Sequence, residues 1–133
     1  MVAARKKFLE SKNDILILLR SERVRTYPGK WAGISGSLEN NNSADEQAII
    51  EIEEETGLSR KDISLIKKGE TFIFYNAAFN VKKIIYPYLF HIEDRTKIKI
   101  DWEHKQLKWI HPEDIDDYDT MPMLKETLAK VLP

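Results

Sequence analysis

The segment Glu51-Ile52-Glu53-Glu54-Glu55-Thr56-Gly57-Leu58 constrains this chain more than any other, because it sets glutamates at i, i+3 and i+4 and closes them with a glycine. Each residue turns an α-helix by about 100°, so Glu51, Glu54 and Glu55 share one side of it. Upstream, Ser43 or Asp45 can cap the helix, and Gly57 suits its C-cap. Ala48, Ile49, Ile52 and Thr56 form an apolar face spanning about 100°. Three carboxylates crowded on one side repel one another unless a cation lies among them, and hard oxygen ligands suit Mg²⁺ or Mn²⁺. The preceding stretch, Ser35-Gly36-Ser37-Leu38-Glu39-Asn40-Asn41-Asn42, is turn-rich, so the expectation is a metal-dependent site on a loop-helix unit.

The segments around this helix read as strands. Val2 to Glu10 and Asp14 to Arg20 form a hairpin across the polar turn Ser11-Lys12-Asn13, and Trp31 to Ser35 is a short apolar segment bracketed by Gly33 and Gly36. Ile63 to Phe74 and Lys82 to Ile92 read as two strands around Asn76-Ala77-Ala78, with Leu107 to Ile110 as the last. Phe72, Phe74 and Phe79 are expected to pack as strand core residues. His111 to Ile115 suggests a short helical turn, and Met121 to Leu132 a terminal helix with Leu124, Leu128 and Val131 turned inward. Strands on both sides of one long helix, with another helix at the end, predict an α/β fold with a mixed sheet between helices.

A length of 133 residues suits one domain, 1–133, with a core that needs no staples. Lysine plus arginine (21) nearly balance aspartate plus glutamate (22), so no basic face for a nucleic acid polymer is expected. With no cysteine, thiolate metal sites, disulfides and cysteine nucleophiles are excluded. His91, His104 and His111 lack the spacing of a zinc site. The longest aliphatic run, Ile15 to Leu19, is far short of the roughly 20 residues that cross a bilayer, and the N-terminus has no apolar core of a secretory signal. The expectation is a cytoplasmic protein without a membrane partner, monomeric or homodimeric.

From Gly36 to Leu58 the chain resembles the Nudix box of the Nudix hydrolases. Gly36, Glu51, Ile52, Glu54, Glu55, Gly57 and Leu58 fall on the family's pattern at its spacing, whereas Asn42 stands where the family has a glutamate and Ile50 where it has an arginine. The resemblance implies an α/β/α sandwich that attacks a diphosphate linkage with water, using divalent cations. It implies Glu51, Glu54 and Glu55 as metal ligands with the Gly36 carbonyl beside them, and Mg²⁺, or Mn²⁺, as the cofactor. Glu54 and Glu103 are the catalytic candidates, Glu103 as a further ligand or general base from a later loop. Arg20 and Tyr75 are candidates for binding a small nucleotide substrate, and a tyrosine near position 75 resembles dinucleoside polyphosphate hydrolases.

Each of these residues also has a plainer role. Glutamate-rich helices are commonly solvated faces, Glu103 suits an exposed strand end, Tyr75 packs as any strand aromatic does, and Arg20 suits a solvated loop. The glycine before the helix, Gly57 after it and the framing strands favour the site. Loss of the paired glutamate and arginine together leaves no single buried charge unmatched. Ile50 is then expected to pack under the loop that precedes the helix. The resulting function is hydrolysis of a nucleoside diphosphate linked to another group. The alternatives are a Nudix-like module that binds a nucleotide or protein without turnover, and a hydrolase of a non-nucleotide diphosphate.

Overall fold

Lys12 and Asn13 both adopt positive φ, 52° and 68°, the backbone hand of a two-residue hairpin turn that matches strand twist. They join β1 (Val2–Ser11) to β2 (Asp14–Arg20). The computed structural model describes residues 2–37, 43–77 and 80–132. The remaining strands are β3 (Trp31–Ala32), β4 (Ile34–Ser37), β5 (Ile63–Lys68), β6 (Phe72–Asn76), β7 (Val81–Ile92) and β8 (His104–Ile110). With them run two helices, α1 (Ala44–Thr56) and α2 (Leu124–Ala129), and 3₁₀ turns at Arg60–Asp62, Arg95–Lys97 and Pro112–Asp117.

The expected hairpin is only the start of the sheet. β1 and β2 pair at the turn, Glu10 opposite Ile15 and Ser11 opposite Asp14. β1 then runs parallel to β7, from Val2 opposite Lys83 to Glu10 opposite His91, and antiparallel to β4 on its other side. β2 carries β3 and β8. The sheet order is β3-β2-β1-β7-β5, with β4 on β1, β6 on β7 and β8 on β2.

Three expected boundaries shift, the first two for a tertiary reason. The expected strand Ile63 to Phe74 is two strands, β5 and β6, lying end to end along the edge of β7 away from β1. Register slips once between Leu65 and Lys67 and again between Lys68↔Tyr88 and Phe72↔Ile85, where the end of the chain crosses. At the second slip a Cβ on Gly69 would fall 2.8 Å from the Lys130 carbonyl oxygen, which only glycine allows. The terminal helix starts at Leu124 rather than Met121, because Thr120 bridges Trp31 and the Met121 N–H bonds the Trp31 carbonyl at 2.9 Å. The last strand starts at His104, three residues before its expected start. Of the three phenylalanines expected in the core, Phe72 and Phe74 are half-buried, and Phe79 lies outside the described residues.

Alternation along the strands makes two cores. Leu9, Leu16, Leu18, Tyr88, Phe90 and Ile92 pack with Ala48, Ile52 and Leu58 on the α1 side. Phe8, Ile15, Ile17 and Leu89 pack with Ile115, Leu124, Leu128 and Val131 on the other side. The result is a mixed sheet between helical layers. Among the described residues no helix is long and apolar enough to cross a membrane.

One pH effect arises in the sheet itself. His91 on β7 holds Glu10 Oε2 at 2.8 Å through Nδ1 and Glu93 Oε1 at 3.0 Å through Nε2, and the bond to Glu10, then that to Glu93, raises its pKa above the ordinary 6.5. Stability from a raised histidine is complete below the unfolded value and is lost as pH rises through the folded one. Wild type should therefore melt above His91→Gln at about pH 6, and the gap should narrow as pH rises further. A gap that widens with pH would refute this assignment.

Candidate active site

Helix α1 is placed by its ends and by its apolar stripe. The Ser43 hydroxyl accepts the Glu46 N–H at 3.1 Å, and Gly57 takes φ 75° while its N–H bonds the Glu53 carbonyl. Ala48, Ile52 and Thr56 are fully buried against the sheet. At about 100° per residue, Glu55 and Glu51 lie on one flank of that stripe and Glu54 lies further round. Glu51 is accordingly buried and Glu55 half-buried, whereas Glu53 and Glu54 are exposed.

The sheet sends a cation up to this flank. Lys7 shares the α1-facing side of β1 with Leu9, while Phe8 between them faces the opposite core. Its side chain has no solvent exposure, and Nζ lies 2.7 Å from Glu51 Oε1.

The connection from β7 to β8 brings the second set of acids. Arg95 anchors it by donating to the Ser11 carbonyl (2.6 Å) and Asp14 Oδ2 (3.0 Å), with its guanidinium 4.2 Å from the Trp109 ring centre. Ile98 then enters the α1-side core, and the Lys99 N–H bonds the Thr56 carbonyl at the end of α1 at 2.8 Å. This clamp carries Asp101 and Glu103 to the neighbourhood of Glu55. Asp101 Oδ1 accepts from the Glu103 N–H at 3.3 Å and sits 3.0 Å from Nδ1 of the buried His104, while the Glu103 carbonyl accepts from Ser21 N–H at 2.8 Å.

Burial pushes the Glu55 carboxyl up to about 8; the Lys7 charge pulls it back, and Glu103, Asp101 and Glu51 push it further up. Near neutrality, without metal, Glu55 thus favours its protonated form. Among the described residues no three His, Asp or Glu side chains converge closely enough to hold a metal as they stand. The donor set nevertheless fits a hard divalent cation: the acids acting on Glu55 offer only oxygen, and the Lys7 ammonium lies among them.

The other expected site residues lie on the strands around the helix. Gly36 lies in β4 with its backbone opposite Arg5. Arg20 turns its guanidinium onto Thr26, Nε to the carbonyl at 2.9 Å and Nη2 to Oγ1 at 3.1 Å, and so braces the loop after β2. Tyr75 is exposed on the β6–β7 hairpin, its hydroxyl donating to Asn80 Oδ1 at 2.6 Å. Ile50 is half-buried, and Asn42 lies outside the described residues, as does most of the loop expected to cover Ile50. Lys7, Asp101 and Trp102 were not singled out by sequence reasoning. For Lys7 a signal exists, a lysine two residues before Leu9 on an inward-facing strand position, whereas Asp101 is placed by a clamp that no local pattern announces.

An acid-bearing helix on a mixed-sheet sandwich, with a later loop folded against the end of that helix, defines the architecture. Similar architectures occur in the C. elegans Ap4A hydrolase binary complex (TM-score 0.75, 18% identity, 98% of this chain and 94% of that one), in the E. coli dihydroneopterin triphosphate pyrophosphohydrolase (0.79, 17%, 97% and 93%), and in a MutT protein from Methanosarcina mazei (0.75, 24%, 96% and 90%). A family model described as NUDIX domain matches residues 5–133. The chain belongs to the Nudix family.

Proposed function

We propose that this chain hydrolyses the diphosphate linkage of a nucleoside diphosphate joined to another group, with Mg²⁺ as its cofactor and Mn²⁺ as a substitute. The observation that carries this reading is Glu55, partly desolvated on α1 and facing Glu103, Asp101 and Glu51. Glu55, Glu54 and the Gly36 carbonyl would hold the cation, with Glu51 behind them. Once bound, it neutralises phosphate charge and makes water more acidic. Glu103, held by the Ser21–Glu103 backbone bond, takes the proton of the attacking water, and Arg20 offers positive charge to the phosphates. Cytoplasmic location belongs to the same proposal.

The substrate's heterocycle is addressed by Trp102. The residue is 59% exposed between Asp101 and Glu103, and the Arg23 guanidinium lies 5.7 Å from the ring centre. Ap4A and dihydroneopterin triphosphate, named for two of the similar structures, both join an aromatic heterocycle to a phosphate chain. Stacking of a base on an aromatic side chain contributes about 1–3 kcal/mol, so Trp102→Ala should raise KM about 10-fold or more with kcat little changed, and Trp102→Phe should recover most of it. An unchanged KM would remove Trp102 from the site.

The deciding experiment is a hydrolysis panel with Mg²⁺ or Mn²⁺ over nucleoside triphosphates, ADP-ribose, dinucleoside polyphosphates, nucleotide sugars and isoprenoid diphosphates, with Glu55→Gln as the blank. Metal-dependent release from a nucleotide, absent in the blank, supports the proposal. Turnover of only a non-nucleotide diphosphate would replace the substrate class. Binding without turnover would favour the module that Asn42 and Ile50 suggest.

A further inference from the structure

Lys7 is an expensive residue to place where it stands. Its side chain is wholly buried in the middle of the sheet, opposite Ile34 of β4 on one side and Tyr88 of β7 on the other. Moving an ammonium out of water costs several kcal/mol even after relaxation, so packing alone would favour leucine or methionine there. Its Nζ instead reaches Glu51 Oε1 at 2.7 Å, on the flank of α1 that carries Glu55, and its charge acts on Glu55 as well.

We infer that Lys7 is a resident cation of the acid cluster, which engages Glu51 as its own partner and thereby reduces the number of divalent cations the site takes up. This rests on the reading that the cluster binds a divalent cation. A fixed ammonium supplies one positive charge where a second cation would otherwise compensate Glu51 and Glu55. Glu51 then positions Lys7 and contributes to the site through it, while uptake of the divalent cation falls to Glu55 and the groups facing solvent. Removing the ammonium without removing Glu51 takes from a buried carboxylate its partner at 2.7 Å, and a divalent cation is the natural replacement.

The test is Mn²⁺ binding by calorimetry and by electron paramagnetic resonance, together with the Mn²⁺-induced rise in Tm, on wild type, Lys7→Met and the Lys7→Met/Glu51→Gln pair. Lys7→Met is expected to melt lower than wild type without metal, to bind about one more Mn²⁺ per chain, and to gain a larger Tm rise from it. The double variant, neutral at both positions, should melt near wild type and bind Mn²⁺ with wild-type stoichiometry. Equal stoichiometry and equal Tm rise in wild type and Lys7→Met would overturn the inference. If Lys7→Met does not fold, the double variant decides: loss of the wild-type Mn²⁺ site there would make Glu51 a ligand and overturn it too. Wild type separates this from the parent reading. Mn²⁺ binding by wild type with no gain in Lys7→Met sinks the inference alone, and no binding by any of the three sinks both.

Discussion

Glu55→Gln is expected to lower metal-dependent kcat/KM by about 10²- to 10⁴-fold, the range by which one positioned ionisable group contributes to catalysis. The substitution keeps the shape of the side chain and removes its charge. It therefore leaves Ile52 and Thr56 in the core and the Lys99–Thr56 clamp intact. Stability should move the other way. The Glu55 carboxyl is raised from 4.5 to about 8 by burial and by Glu103, Asp101 and Glu51, against the pull of Lys7. A raised acid is least costly while protonated, so its contribution to stability is complete below its unfolded value and is lost as pH rises through the folded one. Without metal, wild type and Glu55→Gln should melt alike at about pH 5, and the variant should melt higher at about pH 9. Glu53→Gln, an exposed carboxyl on the opposite face of the helix, is the control and should change neither quantity. Activity retained in Glu55→Gln would take Glu55 out of the mechanism, whatever the stability curves do.

Glu51→Ala is expected to destabilise the fold by about 3–5 kcal/mol, the range for removing one partner of a buried ion pair. The magnitude follows from burial: Lys7 and Glu51 side chains are 0% and 7% exposed, while those of Arg60 and Glu46, an ion pair at 2.8 Å on the surface, are 58% and 54% exposed. A surface pair of that kind contributes about 0–1 kcal/mol, because water already solvates both ends. Replacing both buried partners by apolar groups removes both charges together, so Lys7→Met with Glu51→Leu should recover most of the loss. Urea unfolding at neutral pH measures both variants. If Glu51→Ala and the double replacement lose equal stability, the two residues are not coupled and the pair has only a packing role.

The sequence alone determined the features whose causes lie within a few residues. A serine oxygen caps the helix N-terminus, glycine ends it at positive φ, and apolar residues four apart face the sheet, so α1 was legible from Ser43 to Gly57. The same holds for the turn at Lys12 and Asn13, and the spacing of the glutamates named the family that the domain match later bore out. Glu103 was legible as a candidate only through that resemblance. What brings it to Glu55 is Ile98 entering a core built mainly from β2, β7 and α1, and a backbone bond from Lys99 to Thr56.

Tertiary structure decided the rest, because those features depend on partners distant in the chain. β1 exchanges its hairpin partner for β4 and for a parallel β7 some 80 residues away by count of their paired positions, such as Lys7 opposite Tyr88. The break at Gly69 is imposed by the Lys130 carbonyl, and the late start of α2 by Thr120 and Met121 pairing with Trp31. Lys7 shows the difference most plainly. As a residue it is one more lysine in a basic stretch, and only when alternation along β1 turns it inward, beneath the flank of α1, does its charge come to rest on Glu51. Periodicity can state which way a side chain faces, but the charge it meets there is set by how the sheet and the helix are packed together.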